Sequence, residues 1–223
     1  AFSVGGQLKI LDKPVIQTTD LSANCDTLTR CIYGTVDDGT NSLSRFFLGT
    51  RATTVDASNG CKLWQSSDGD TWTLINHFVN LLTVNDLFIS LQNLFILMST
   101  DLYTFEDSTT PFTTVTSRTA AYNTSGLTAT SFICGADVNG VAHVVGSSSV
   151  QYALKTSTDD GATFTQRVLF PVGINVKNGI SFNSDFYYLR ENETANTTVL
   201  YRYNLAAATD TMVYEFTGRV SAT

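Results

Sequence analysis

A corner of the form Ser-x-Asp, two residues, Thr-aromatic occurs twice at identical spacing, as Ser66, Asp68, Thr71, Trp72 and as Ser99, Asp101, Thr104, Phe105. A third copy, one residue longer, reads Ser157, Asp159, Gly161, Thr163, Phe164. Each copy ends one alternating apolar segment and opens another, as a β-hairpin turn does, and a turn that recurs along a chain marks a repeated structural unit. The residue types suit that task. Asp and Ser side chains accept hydrogen bonds from backbone N–H groups one or two residues on, and Gly69 and Gly161 take positive φ without a Cβ penalty. The aromatic then starts the return strand on one face, with hydroxyl-bearing residues on the other, as in Thr163-Phe164-Thr165-Gln166-Arg167-Val168. Burial of that ring contributes roughly 1.5–3 kcal/mol.

The three segments resemble Asp boxes, the hairpin motif of sialidases and many other β-propellers, also called bacterial neuraminidase repeats. The copy from Ser157 to Phe164 fits the full pattern Ser-x-Asp-x-Gly-x-Thr-aromatic, and the copy from Ser66 to Trp72 is a shorter variant that keeps Gly69. The copy from Ser99 to Phe105 has Leu102 and Tyr103 in the turn in place of Gly, and Thr209-Asp210-Thr211-Met212-Val213-Tyr214 is a degraded fourth candidate. In that family the box stabilises a blade hairpin away from the ligand site, so the resemblance implies a fold rather than a catalytic centre.

The rest of the chain is consistent with that fold. Phe132–Val138 and Val141–Gly146 flank Asn139-Gly140, a strong short hairpin signal, and Val150–Lys155 leads into the third box, which makes four strands in series. Residues 42–75 and 179–203 read similarly. The box aspartates Asp68, Asp101, Asp159 and Asp210 are 33, 58 and 51 residues apart, close to the ~40–50 residues of a common blade. The whole chain, residues 1–223, is therefore read as one all-β domain, a β-propeller of about five four-stranded blades. Leu8-Lys9-Ile10-Leu11 is expected to pair into the last blade. A two-sheet sandwich or jelly roll is the competing fold, and Ile75, Phe78, Val79 and Leu82 leave open a short helix between residues 74 and 91.

Composition narrows the function. The 223 residues are 43% hydrophobic and 15% charged, with a formal net charge of −7 and no Lys/Arg cluster, which argues against a nucleic-acid partner. Apolar runs such as Leu94-Phe95-Ile96-Leu97-Met98 are far shorter than the ~20 residues that span a bilayer, so membrane insertion is not expected. The start at Ala1 fits either a removed secretory peptide or initiator Met trimming. Of four cysteines, Cys25 and Cys31 are spaced to close a small loop as a disulfide, with free thiols as the alternative. Glycosylation sequons begin at Asn123, Asn192 and Asn196, a pattern that an Asn- and Thr-rich chain also produces by chance.

Catalytic constellations are thin. A sialidase-like hydrolase would need, by the resemblance, an arginine triad, a Tyr–Glu nucleophile pair and an Asp acid. Arginines stand at 30, 45, 51, 118, 167, 190, 202 and 219, but glutamates are few, and Glu191 and Glu193 read as a solvated hairpin tip. His77 and His143 sit in apolar strands and are expected to be packed rather than catalytic. The pairs Asp68/Asp70 and Asp159/Asp160 lack a calcium-loop pattern and read as turn stabilisers, so no metal or cofactor is expected. Phe186, Tyr187, Tyr188, Tyr201 and Tyr203 alternate, which buries about half of them and offers the rest to a ligand such as a sugar.

The expected function is therefore a non-enzymatic binding or assembly module on a virion or extracellular surface, such as a phage spike, tail or decoration protein. Its expected partners are other particle subunits and host glycans. The alternatives are a secreted sialidase-like carbohydrate-active enzyme and a secreted cellular adhesion or assembly factor.

Overall fold

Alternating apolar residues between short turns make sixteen strands in the computed structural model, which describes residues 25–37, 42–105, 115–192 and 195–218. They form four antiparallel sheets of four strands, each a meander in chain order. The first sheet contains β1 (Cys25–Asp37), β2 (Ser42–Ala52), β3 (Gly60–Ser66) and β4 (Thr73–Val79). The second contains β5 (Val84–Ser90), β6 (Asn93–Met98), β7 (Leu102–Phe105) and β8 (Val115–Ser117). A short helix, α1 (Thr119–Asn123), precedes the third, made of β9 (Ser131–Val138), β10 (Val141–Ser147), β11 (Tyr152–Ser157) and β12 (Thr165–Leu169). The fourth has β13 (Ile174–Phe182), β14 (Asp185–Asn192), β15 (Thr197–Asn204) and β16 (Thr209–Thr217).

The sheets pack in sequence through three apolar cores. Val36, Phe47, Leu63 and Phe78 of the first sheet meet Leu87, Leu94, Ile96 and Met98 of the second. The other face of the second sheet presents Phe88, Phe95 and Leu97 to Phe132, Val144 and Phe164 of the third. Cys134, Val145 and Leu154 of the third then meet Phe186, Tyr188 and Tyr203 of the fourth. Strand β6 shows why the inner sheets read as continuous apolar runs: alternate residues from Leu94 to Met98 serve two different cores, and all five are fully buried. Four successive layers are not the two layers of a sandwich, and the described residues form four sheets rather than about five.

The first strands of the sheets lie together, β1 against β5, β5 against β9 and β9 against β13. Close approach there needs small residues. A Cβ on Gly135 of β9 would stand 2.4 Å from the Phe88 ring of β5, and one on Gly34 of β1 would stand 2.4 Å from Ile89.

Two expectations are corrected by strand geometry. The apolar spacing from Ile75 to Leu82 is not helical, because Thr73–Val79 pairs along β3 as the outer strand of its sheet. The Cys25–Cys31 bridge does not form, and Cys31 is a free thiol. Both residues lie on β1, where six residues of extended chain place their Cα atoms roughly 20 Å apart, against the ~4.4–6.8 Å of a disulfide. Leu8-Lys9-Ile10-Leu11 lies outside the described residues.

Candidate functional site

Two of the three corners have the expected chemistry. Ser66 Oγ accepts from the N–H of Gly69 (2.8 Å) and donates to Asp68 Oδ1 (2.9 Å). That carboxylate oxygen also accepts from the N–H groups of Asp70 (2.9 Å) and Thr71 (2.8 Å). These donors, Thr71 N–H foremost, hold the Asp68 carboxyl down at about 2. In the third copy Ser157 Oγ accepts from Gly161 N–H (2.9 Å), and Asp159 accepts from the Thr163 N–H (2.9 Å) and hydroxyl (2.6 Å). Gly69 and Gly161 have φ of 79° and 80°, and Trp72 and Phe164 are buried. Both corners join the third and fourth strands of a sheet.

The second copy differs. Ser99 to Asp101 joins β6 to β7, the second and third strands of its sheet, and Asp101 is held by the hydroxyls of Thr100 (2.8 Å) and Thr119 (3.3 Å). Thr104 and Phe105, expected to open the return strand, are buried within β7. The degraded candidate at Asp210 also departs: the turn between β15 and β16 is closed by Asn204 Oδ1 accepting from Ala207 N–H (2.7 Å). Asp210 lies inside β16, where it pairs with Arg190 and accepts from the Tyr188 hydroxyl.

Side chains of the first strands converge between the sheets. Arg30 Nε of β1 is 2.9 Å from Asp86 Oδ1 of β5, and Arg30 Nη2 donates to Asn178 Oδ1 of β13 (3.0 Å). Asp86 Oδ2 accepts from the Gly135 N–H of β9 (3.0 Å), so this chain of contacts links all four sheets. Burial raises the Asp86 carboxyl pKa against the opposing pull of those donors.

Several of the arginines and Glu191 are engaged with other side chains. Arg118 Nε donates to Thr104 (2.9 Å) and Arg167 Nε to Thr156 (2.8 Å). The Arg190 guanidinium lies over the rings of Tyr201 (3.7 Å) and Phe170 (4.6 Å). Glu191 is not at a solvated tip: it is buried in β14 and paired with Lys177 at 3.3 Å, and Glu193 lies outside the described residues. His143 is fully buried, stacked on Phe186 at 5.4 Å with Nδ1 2.9 Å from Val141 O, and burial lowers its pKa. No group of three or more His, Cys, Asp or Glu gathers among the described residues, and no helix there is long and apolar enough to cross a membrane.

Lys155 was not singled out by sequence reasoning. Its buried Nζ donates to the carbonyls of Tyr122 (2.6 Å) and Leu127 (2.7 Å) and stands 4.2 Å over the Tyr122 ring. The sequons differ in accessibility. Asn123 bonds the Ala129 backbone through both amide atoms and Asn192 Oδ1 accepts from Ala195 N–H, whereas Asn196 is exposed at a turn with φ of 52°.

Two surface features remain. On β16, Met212, Val213, Tyr214 and Phe216 are all exposed, Tyr214 by 59%, and the Tyr214 and Phe216 rings pack edge to face at 4.8 Å. The β9–β10 and β13–β14 turns border an open depression of about 410 Å³ lined by Asp137, Asn139, Ser181, Phe182, Asn183 and Ser184. No family model matches the chain, and no curated protein matches it.

Proposed function

We propose that the protein is a non-enzymatic binding or assembly module of a virion or extracellular surface, built as a four-bladed Asp-box propeller. The radial arrangement is supported by the adjacent first strands and by Arg30, which reaches β5 and β13 at once. The placement of two Ser-Asp corners between third and fourth strands supports the family reading.

The observation that carries the functional reading is the apolar exposure of β16. Four large apolar side chains stand in solvent on one edge strand, an arrangement that soluble monomers seldom keep unless something covers it. Its occupant in this reading is another protein subunit of the particle. A density map of the protein in its native assembly tests this: β16 is expected beneath a neighbouring subunit, and a fully solvated β16 overturns the proposal. Turnover of a fluorogenic glycoside that disappears on replacing one carboxylate would overturn the non-enzymatic part.

A further inference from the structure

We infer that the depression between the β9–β10 and β13–β14 turns is a subsite for a neutral sugar residue. This names a ligand and a place for the binding module proposed above and rests on that reading, but it makes no use of β16.

The walls of the depression are two tight hairpins. Asn139-Gly140 and Asn183-Ser184 both have positive φ at their two central residues, 54° and 77° in the first and 47° and 64° in the second, the signature of rigid two-residue turns. The hydroxyl of Ser184 and Oδ1 of Asn139 are 3.5 Å apart across the gap. A third such turn, Leu91-Gln92, buttresses the first, since the Leu91 side chain would stand 3.1 Å from a Cβ on Gly140. The two turns thus fix the rim of an open depression of about 410 Å³, wide enough for one sugar ring to lie against it.

Its chemistry suits hydroxyl groups. The Asp137 carboxylate is held in place by the Ser90 hydroxyl on Oδ2 (2.6 Å) and the Gly140 N–H on Oδ1 (3.1 Å). A carboxylate offers about four acceptor positions, so lone pairs remain for a ligand that donates. Ser181 and Asn183 add exposed polar groups that can donate and accept. Beside them Phe182 is 59% exposed, its ring 6.2 Å from that of Tyr187. An aromatic face carries partial negative charge and attracts the polarised C–H groups on one side of a pyranose, while the ring hydroxyls reach the surrounding polar groups. The charge selects against acids. The described residues that line the depression include the Asp137 carboxyl group and neither Lys nor Arg, and the chain carries a net charge of −7, so sialylated or sulfated sugars are disfavoured.

Purified full-length protein on an array of neutral hexose and N-acetylhexosamine oligosaccharides, printed beside sialylated and sulfated ones, tests the site. Neutral glycans are expected to be retained and acidic ones not. In titration calorimetry with the strongest neutral hit, Phe182→Ala is expected to weaken binding roughly tenfold. Asp137→Asn, whose amide oxygen can still accept from the Gly140 N–H while its NH2 donates to the Ser90 hydroxyl oxygen, is expected to weaken it as well. The melting temperature of each variant checks folding, and Asn183→Ala, at an exposed turn, supplies a second reading of the site. A Tyr214→Asp, Phe216→Asp double variant is expected to keep its glycan affinity. Retention of no neutral glycan, retention of acidic glycans alone, or an affinity indifferent to both Phe182→Ala and Asn183→Ala overturns the subsite. None of these results touches the coverage of β16, which the density map decides separately.

Discussion

At the scale of single residues, the buried amine of Lys155 has the largest consequence that spacing did not reveal. Burial lowers its pKa to about 8, below the ~10.4 of an exposed lysine. Between those values the unfolded chain holds the extra proton, so the lysine's contribution to stability rises with pH from about 8 to 10.4. In urea titrations across that window, wild type is expected to gain on the order of 2–3 kcal/mol relative to Lys155→Met. A flat difference would show that the amine stays as easily charged in the fold as in the open chain. His143 acts on the acid side. Its folded pKa is lowered, so the stability linked to it is present above the ordinary value near 6.5 and falls as pH drops below that. His143→Leu is expected to remove this loss, read as the difference in melting temperature between pH 7 and pH 5. The sequence carried a partial signal for the histidine, an isolated imidazole in an apolar strand. It carried none for Lys155, because a lysine in an alternating strand reads as the solvent-facing member, and only packing against α1 turns that face inward.

At the scale of elements, the corners explain both what was legible and what was not. Ser157-Asp159-Gly161 and Ser66-Asp68-Gly69 are local networks whose donors lie within five residues of their acceptors, so their chemistry survives in the sequence alone. The copy at Ser99 has the same letters without the glycine. With no residue suited to positive φ after Asp101, the chain goes straight into β7, and the aspartate finds Thr119 instead of its own backbone. The absent glycine was the visible warning, and the distant partner was not visible at all. The Leu74–Leu91 stretch misled for a related reason: its apolar residues satisfy a helical period, yet β4 takes its hydrogen bonds from β3. A paired substitution separates the two kinds of corner. Ser157→Ala leaves the buried Gly161 N–H without its acceptor and is expected to cost about 1–2 kcal/mol in urea denaturation. Ser99→Ala removes no comparable bond and is expected to change stability by less than about 0.5 kcal/mol. Equal losses would mean that both serines close their turns.

At the scale of the whole molecule, the order of the sheets follows from hairpins between chain neighbours, whereas the meeting of the first and last sheets depends on residues 148 positions apart. Apolar alternation says which face of a strand is covered but not by which sheet, so no pattern in the chain announced that Arg30 and Asn178 meet. Among the described residues, three interfaces have apolar cores, whereas the first and last sheets meet through the exposed Arg30–Asn178 bond. Arg30→Met keeps the aliphatic stem but removes both polar links and leaves Asp86 buried without its cation. Because the Arg30 side chain is 38% exposed, the expected loss is about 1–3 kcal/mol, less than for a fully buried pair. Its distribution is the sharper reading. If the first strands surround one axis, hydrogen exchange in Arg30→Met rises in β1 and β13 together, although they are far apart in sequence, while β6 between two intact cores stays protected. Asn178→Ala, which leaves the Arg30–Asp86 pair in place, is expected to raise exchange in the same two strands by a smaller amount. Faster exchange confined to β1 and β5 would mean that the last sheet does not lean on the first, and the four layers would then be an open stack rather than a ring.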